Sequence, residues 1–201
     1  MKYDVGKLPW DIISADFDGD DDADLAVTNG LSNKVSVLLN KGGGVFRQAR
    51  NYEVGLQSAD ITSSDFNCDV KLDLAVAIRS VRPSDPLKVS VLLGKGGGGF
   101  ASPVRYPVRG QGNIPSGITS AELNGDGKLD VAVANLNFGN VSVLLGKGKG
   151  VFGRAEPFGV DGEPSRIINA DFNDDDKPDL AAAKLGPDEV SVLINTTSSS
   201  P

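Results

Sequence analysis

The sequence predicts an all-β fold, a β-propeller of four four-stranded blades, and three recurrent markers carry that prediction. A ten-residue acidic segment appears as DFDGDDDADL (16–25), DFNCDVKLDL (65–74), ELNGDGKLDV (122–131) and DFNDDDKPDL (171–180), with first positions 49, 57 and 49 residues apart. VSVLL or VSVLI recurs at 35, 89, 141 and 190, and a glycine-rich turn closes on Phe46, Phe100 and Phe152. A fixed period of about 50 residues marks a repeat architecture in which each unit is one supersecondary element.

Within the second unit DITSSDF reads as strand one, DLAVAI as strand two, KVSVLLG as strand three and SPVRYPV as strand four, each bounded by Gly, Pro, Asn or Asp. Helix signals are absent. Strands two and three are apolar on both faces, as expected of a sheet packed on both sides. Four-stranded units stacked face to face around an axis make a propeller. A β-solenoid would use shorter rungs, and a sandwich would not need the strict period.

The chain ends bear on closure. Tyr3 precedes Asp16 by 13 residues, as Tyr52 precedes Asp65 and Phe158 precedes Asp171, so residues 2–6 read as a fourth strand without its own blade. The last unit runs only to VSVLIN, Val190–Asn195, and has three strands. The simplest expectation is that the N-terminal strand closes the last blade, giving one domain over 1–195 followed by a linker or tail, 196–201. Its radius of gyration would be about 16–17 Å. Two rival arrangements stand beside it: an arc of a larger propeller, or a homodimer forming one eight-bladed ring.

Composition excludes several function classes. Twenty-seven acids against 20 bases give a net charge of −7, which argues against a nucleic-acid or anionic-membrane partner. There is no histidine, which removes histidine metal sites and Ser-His or Cys-His catalysis. Cys68 stands alone and forms no internal disulfide. No apolar run approaches the roughly 18 residues of a membrane span, so no membrane insertion is expected. No leader pattern follows Met1 and Lys2.

Oxygen-bearing side chains occupy positions one, three, five and nine of every acidic segment. They are Asp16, Asp18, Asp20 and Asp24; Asp65, Asn67, Asp69 and Asp73; Glu122, Asn124, Asp126 and Asp130; Asp171, Asn173, Asp175 and Asp179. Alternate spacing in a tight loop aims successive oxygens at one centre. The main-chain carbonyls at position seven, Asp22, Lys71, Lys128 and Lys177, can complete an oxygen-only shell of the kind calcium takes. Magnesium asks for stricter geometry, and soft metals for Cys or His. An EF-hand would need Glu at position 12, where Val27, Val76, Val133 and Ala182 stand, and helical flanks. A catalytic carboxylate pair would not call for four equivalent copies, and a merely solvated loop would not keep its spacing four times.

The pattern D-F-[DN]-G-D-G-x-x-D-[LIV], followed by segments such as DLAVTN or DVAVAN, then VSVLLG and the Gly-rich turn ending in Phe, resembles the FG-GAP or VCBS repeats of integrin α-subunit propellers and their bacterial and fungal relatives. The likeness covers essentially the whole chain. It implies a β-propeller whose loops between strands one and two each hold a structural Ca²⁺, up to four here. It also implies partners bound on the opposite face, built from the two-to-three and four-to-one loops. The first loop, with four ligand aspartates, is expected to bind most strongly, although Asp21 replaces a turn glycine. The third keeps Gly125 and Gly127 but begins with the longer Glu122, and the fourth carries Asp174 and Asp176 in place of both glycines. The loop at 65–73 is expected to be weakest, because Val70 sits where a left-handed backbone is usual.

The 57-residue repeat carries its extra residues in RSVRPSDPLK (79–88) and RGQGNIP (109–115), in connections that emerge opposite the acidic loops. These bring Arg79, Arg82, Arg109, Gln111 and Asn113 to that face, beside Phe138 and beside Trp10, whose place is held by Ala59, Ser116 and Ser165 in the other units. Loops on a rigid scaffold commonly carry function, and an aromatic beside polar amides suits a sugar or a peptide. The plainer alternative is that Trp10 packs the closure seam. The expected function is a calcium-stabilised, non-enzymatic binding or adhesion module for a glycan or an extracellular protein. Alternatives are a structural repeat of a larger surface protein, or an accessory or lyase-type propeller acting on polysaccharide. The latter would rely on Lys, Arg or Tyr. Loops of this kind need high free Ca²⁺, which places the chain outside the cell or at its surface. Asn140 and Asn195 head N-x-[ST] sequons.

Overall fold

The computed structural model describes residues 1–79, 86–111, 115–186 and 188–197, with the side chains of 86–87 and 109–111 excepted. The first blade is β1 (Pro9–Ala15), β2 (Asp24–Asn29), β3 (Lys34–Leu38) and β4 (Arg50–Glu53), hydrogen-bonded in that order. The second contains β5 (Ser58–Ser64), β6 (Asp73–Ile78), β7 (Pro86–Leu92), a short hairpin β8 (Gly94–Gly96) and β9 (Gly99–Phe100), and β10 (Val104–Gln111), which pairs with β7. The third is β11 (Pro115–Ala121), β12 (Asp130–Asn135), β13 (Asn140–Leu144) and β14 (Glu156–Gly159). The fourth has three strands, β15 (Glu163–Ala170), β16 (Asp179–Leu185) and β17 (Val190–Leu193). Among the described residues all pairings are antiparallel, and one 3-10 turn, Leu136–Phe138, follows β12.

The second strands explain the stacking. In β6 every residue is buried, and the two-residue period splits the strand between neighbours. Leu74, Val76 and Ile78 join the core shared with the first blade, while Ala75 and Ala77 join the core shared with the third. A third core joins the third blade to the fourth through Ala132, Val141, Ile167 and Leu180. Each fully buried Val or Leu contributes about 1.5–3 kcal/mol, so these seams dominate the stability of the series.

Aromatic rings fasten the seams. Phe100, from the glycine-rich hairpin of the second blade, meets Phe17 and Tyr52 of the first edge-on at 5.8 and 5.3 Å. Phe152 meets Phe66 and Tyr106 in the same way, at 5.4 Å each. The phenols donate to Gly98 O and Gly150 O, both at 3.1 Å. The recurrent Phe and Tyr are therefore two halves of one contact, made between successive units.

The N-terminal segment departs from expectation. Residues 2–6 lie in no strand, and the sheet of the last blade does not include them. They rest on the first blade instead: the Tyr3 ring meets Phe46 edge-on at 5.5 Å, Tyr3 Oη accepts from Phe46 N at 3.1 Å, and Gly6 N donates to Ser36 Oγ at 3.3 Å. Tyr3 thus stands to Phe46 as Tyr52 stands to Phe100. That local contact forms without help from the fourth blade, whereas pairing with β17 requires the two ends of the series to meet. Among the described residues the cores join blades one to two, two to three and three to four, and none joins the fourth to the first.

Candidate metal loops and the opposite face

Each acidic loop joins the first strand of a blade to the second. Its bend comes from left-handed backbone at positions four and six in every copy: Gly19, Cys68, Gly125 and Asp174, then Asp21, Val70, Gly127 and Asp176, with φ between 60° and 85°. This turns successive N–H groups inward, and the first carboxylate collects them. Asp16 Oδ1 accepts from Asp18, Gly19 and Asp20, and Oδ2 from Asp21 at 2.9 Å. These bonds, that from Asp21 foremost, hold Asp16 below the usual carboxylate range. Asp65 and Asp171 repeat the pattern, and Glu122 reaches Asn124, Gly125 and Asp126 with Oε1.

Position nine has a second duty that its spacing did not reveal. Asp24, Asp73, Asp130 and Asp179 are fully buried. One oxygen accepts from the N–H at position two, Phe17, Phe66, Leu123 and Phe172, at 2.9–3.0 Å. The other accepts at 2.7 Å from the residue that follows the VSVLL segment by one, Asn40, Gly94, Gly146 and Asn195. The aspartate therefore latches the loop to the end of the third strand. Burial pushes Asp73 up to about 6 and raises Asp130, against the pull of these donors.

What remains open in the first loop is oxygen. Asp16, Asp18 and Asp24 each present one carboxylate oxygen, all within 4.8 Å of one another. Asp18 Oδ1 is buried without a hydrogen-bond partner, and burial together with the charges of Asp24 and Asp20 raises Asp18. Asn67 Oδ1 is orphaned in the same way in the second loop. An orphaned, inward-facing oxygen among carboxylates fits a hard divalent cation. The third and fourth loops use that oxygen internally: Asn124 Oδ1 accepts from Asp126 N, and Asn173 Oδ1 from Asp175 N. At position five, Asp20 and Asp175 accept from Asp22 N and Lys177 N, while Asp69 and Asp126 also pair with the side chains of Lys71 and Lys128 at 2.9 and 2.8 Å. Lys177 Nζ donates to Thr197 O.

On the opposite end, Trp10 is the second residue of β1 and Arg79 follows β6. The structure brings them together, with the Arg79 guanidinium 4.7 Å above the half-exposed indole, an attractive arrangement of charge over ring. Arg79 Nε reaches Pro115 O at 3.4 Å, across to the second insertion. The insertions lengthen β7 and β10, whose registers carry on to Val108 opposite Leu87 and Gln111 opposite Pro86. Arg109 and Gln111 lie on this extension, and Arg82 and Asn113 fall outside the described residues. Phe138 is half-exposed in the 3-10 turn. Both sequon asparagines are engaged: Asn195 Nδ2 donates to Leu123 O and Pro178 O, and Asn140 Oδ1 accepts from Asn135 Nδ2.

An ionic ladder along the first strands went unnoticed in the sequence, although one signal was there. Asp11, Asp60, Gly117 and Arg166 each precede an isoleucine of strand one. Asp11 Oδ2 accepts from Ile61 N at 3.1 Å and Asp60 Oδ2 from Ile118 N at 2.9 Å, each acid reaching into the next blade. Arg166 then reaches back to Asp60 at 3.2 Å and donates to Ser116 O at 2.7 Å. Gly117 is required by closeness, since a Cβ there would stand 2.9 Å from Ile167 N. Burial, reinforced by Asp11, pushes Asp60 up to about 7.

One cavity of ≈ 300 Å³ opens between the third and fourth blades, lined in part by Leu123, Leu145, Phe158, Leu180 and Leu193. Leu123 and Phe158 hold the places of Phe17 and Tyr52, the pair that clasps Phe100 at the first seam. Among the described residues the fourth blade supplies no hairpin phenylalanine to fill that hole.

Four stacked antiparallel sheets with equivalent acidic loops define a β-propeller-like repeat module. The chain belongs to the FG-GAP-like repeat family, whose model matches residues 16–76, 65–133 and 122–182. Each match runs from one acidic loop through the second strand of the following blade. The family is generally non-enzymatic, and its repeats serve as binding or structural modules. No curated protein matches the sequence. Among solved structures the chain is similar to BBS1N in complex with ARL6DN, with a TM-score of 0.59 at 10% identity over 96% of this chain and 63% of that one. It is also similar to the Photorhabdus luminescens Tc holotoxin pore, with a TM-score of 0.57 at 18% identity over 94% of this chain and 9% of that one. The chain thus spans less than two thirds of either, and at these identities the likeness is one of fold.

Proposed function

We propose that this chain is a calcium-stabilised, non-enzymatic binding or adhesion module, working outside the cell or at its surface, that recognises a glycan or an extracellular protein on the face opposite its acidic loops. The observation that carries the metal half is the orphaned Asp18 Oδ1, buried beside the carboxylates of Asp16 and Asp24. The binding half is supported by Trp10, an exposed aromatic held by Arg79 at the mouth of the two insertions. A half-exposed indole with a fixed cation over one face offers its other face and nearby hydrogen-bond donors to a sugar ring or a peptide.

Cation bound only by the folded state adds about 2.7 kcal/mol per site at a hundredfold excess over Kd. The melting temperature is expected to fall in EDTA and to return with Ca²⁺ more fully than with Mg²⁺; an unchanged melt in EDTA would sink the metal half. For the binding half, a glycan array in Ca²⁺ is expected to give hits that Trp10→Ala loses. Hits that survive that substitution move recognition to another surface. A structural role is favoured as the second reading by one observation, the apolar faces left open at both ends of the blade series.

A further inference from the structure

Every first strand begins with a bulge at the end opposite the acidic loops. Its pairing with the second strand skips residues 10–11, 59–60, 116 and 165 in turn. A bulge takes residues out of the ladder and re-aims the side chains around them. In β11 the skip leaves Ser116 out of register, and its carbonyl accepts from Arg166 Nη1 at 2.7 Å. The carbonyl before it, Pro115 O, accepts from Arg79 Nε at 3.4 Å. Consecutive carbonyls of one strand thus tether two guanidiniums, one from the second blade and one from the fourth. Arg166 pairs with Asp60 at 3.2 Å, and Asp11 holds Ile61 N, but among the described residues no carboxylate pairs with Arg79. Burial and the charge of Arg166 both work against the Arg79 cation, and Asp60 works for it. The surroundings are open, with the Arg166 side chain 54% exposed and Trp10, under Arg79, 48% exposed.

We propose, resting on the binding reading above, that Arg79, Arg166 and Trp10 form the module's ligand site and that its ligand is a carboxylate-bearing glycan. A ligand carboxylate set against the two guanidinium forks supplies the missing counter-charge through charge-assisted hydrogen bonds. A sugar ring beside that carboxylate lies on the indole face that Arg79 leaves uncovered. An acidic peptide side chain meets the guanidiniums on a flexible arm, whereas an acidic glycan carries anion and ring in one rigid frame and loses less freedom on binding. Thirteen of the 27 acids occupy the oxygen positions of the loops at the other end, so much of the net charge of −7 lies away from this face.

On an array in Ca²⁺ that carries carboxylate-bearing glycans beside the same glycans as methyl esters, hits are expected among the free acids, and esterification is expected to abolish them. Arg79→Gln should weaken those hits about tenfold or more, the worth of a hydrogen bond to a charged group, with circular dichroism unchanged. Arg79→Lys keeps the charge without the fork and should fall between. The ester comparison uses the unaltered chain and so holds whatever Arg79→Gln does to folding. Free acids and esters bound alike, and both lost with Trp10→Ala, overturn the acidic ligand and leave a glycan-binding module standing. An array without hits overturns the proposal and leaves an extracellular protein as the module's ligand. Acidic hits that a folded Arg79→Gln leaves untouched overturn the site. Triglutamate held as tightly as the best acidic glycan makes the ligand a peptide and overturns the sugar.

Discussion

Val70 is the residue where local and global demands conflict most plainly. Its φ of 67° lies in the left-handed region, and its side chain is 95% exposed, so it gains no packing in return. For an L-residue that conformation costs about 1–2 kcal/mol, and Asn tolerates it better than a β-branched side chain. Val70→Asn is therefore expected to stabilise the chain by about 1 kcal/mol, raising the melting temperature by about 2–4 °C. A lower melting temperature would show that the loop draws support from Val70 by some other route.

At the scale of the element, every acidic loop carries a latch, the first adds an unpartnered oxygen at Asp18, and the two can be told apart. Asp24→Asn sets an amide N–H₂ against the N–H of Phe17 or Asn40, leaving one buried donor unsatisfied at a cost of about 1–3 kcal/mol. That loss should already appear in EDTA, and the gain from Ca²⁺ should shrink as well, because Asp24 also belongs to the acidic cluster. Asp18→Ala removes an oxygen that accepts no backbone bond and relieves crowding with Asp24 and Asp20. It should leave the melt in EDTA unchanged or slightly higher while reducing the gain from Ca²⁺. Alanine is chosen because Asn67, Asn124 and Asn173 hold the same position in the other loops. Equal losses for Asp18→Ala in both conditions would make its role structural.

At the scale of the whole molecule, the ladder of Asp11, Asp60 and Arg166 couples all four blades. With Asp60 raised from 3.8 to about 7, the folded chain keeps a proton there that the unfolded chain releases. Between about pH 4 and 7 the folded state thus binds more protons, and this group's contribution to stability falls as pH rises. Asp60→Asn keeps an oxygen for Ile118 N–H and loses the titration. The melting temperature of the unaltered chain should decline relative to Asp60→Asn from pH 5 to pH 8. A constant difference across that range would refute the assignment.

The period, the strands and the loop bends were legible because each is set by neighbours in sequence. DLAVAI coincides with β6, and positions four and six take the left-handed turn that glycine and aspartate signal in three of the acidic loops and that Cys68 and Val70 adopt in the second. Trp10 and Arg79 were placed on one face by counting strands, and in the fold the Arg79 guanidinium lies 4.7 Å from the centre of the Trp10 ring. The latch of Asp24 onto Asn40 and the ladder from Asp60 to Ile118 were not legible, since each bond spans 16 residues or more. Residues 2–6 illustrate the boundary. Their likeness to a fourth strand was written in the spacing from Tyr3 to Asp16, but which blade they serve was not. The sequence by itself determined the repeating unit, because that depends on alternation, turns and side-chain oxygens a few residues apart. Only the tertiary structure decided that residues 2–6 lie outside the fourth sheet and that Tyr3 rests on Phe46, because one contact forms locally while the other needs two distant surfaces to meet.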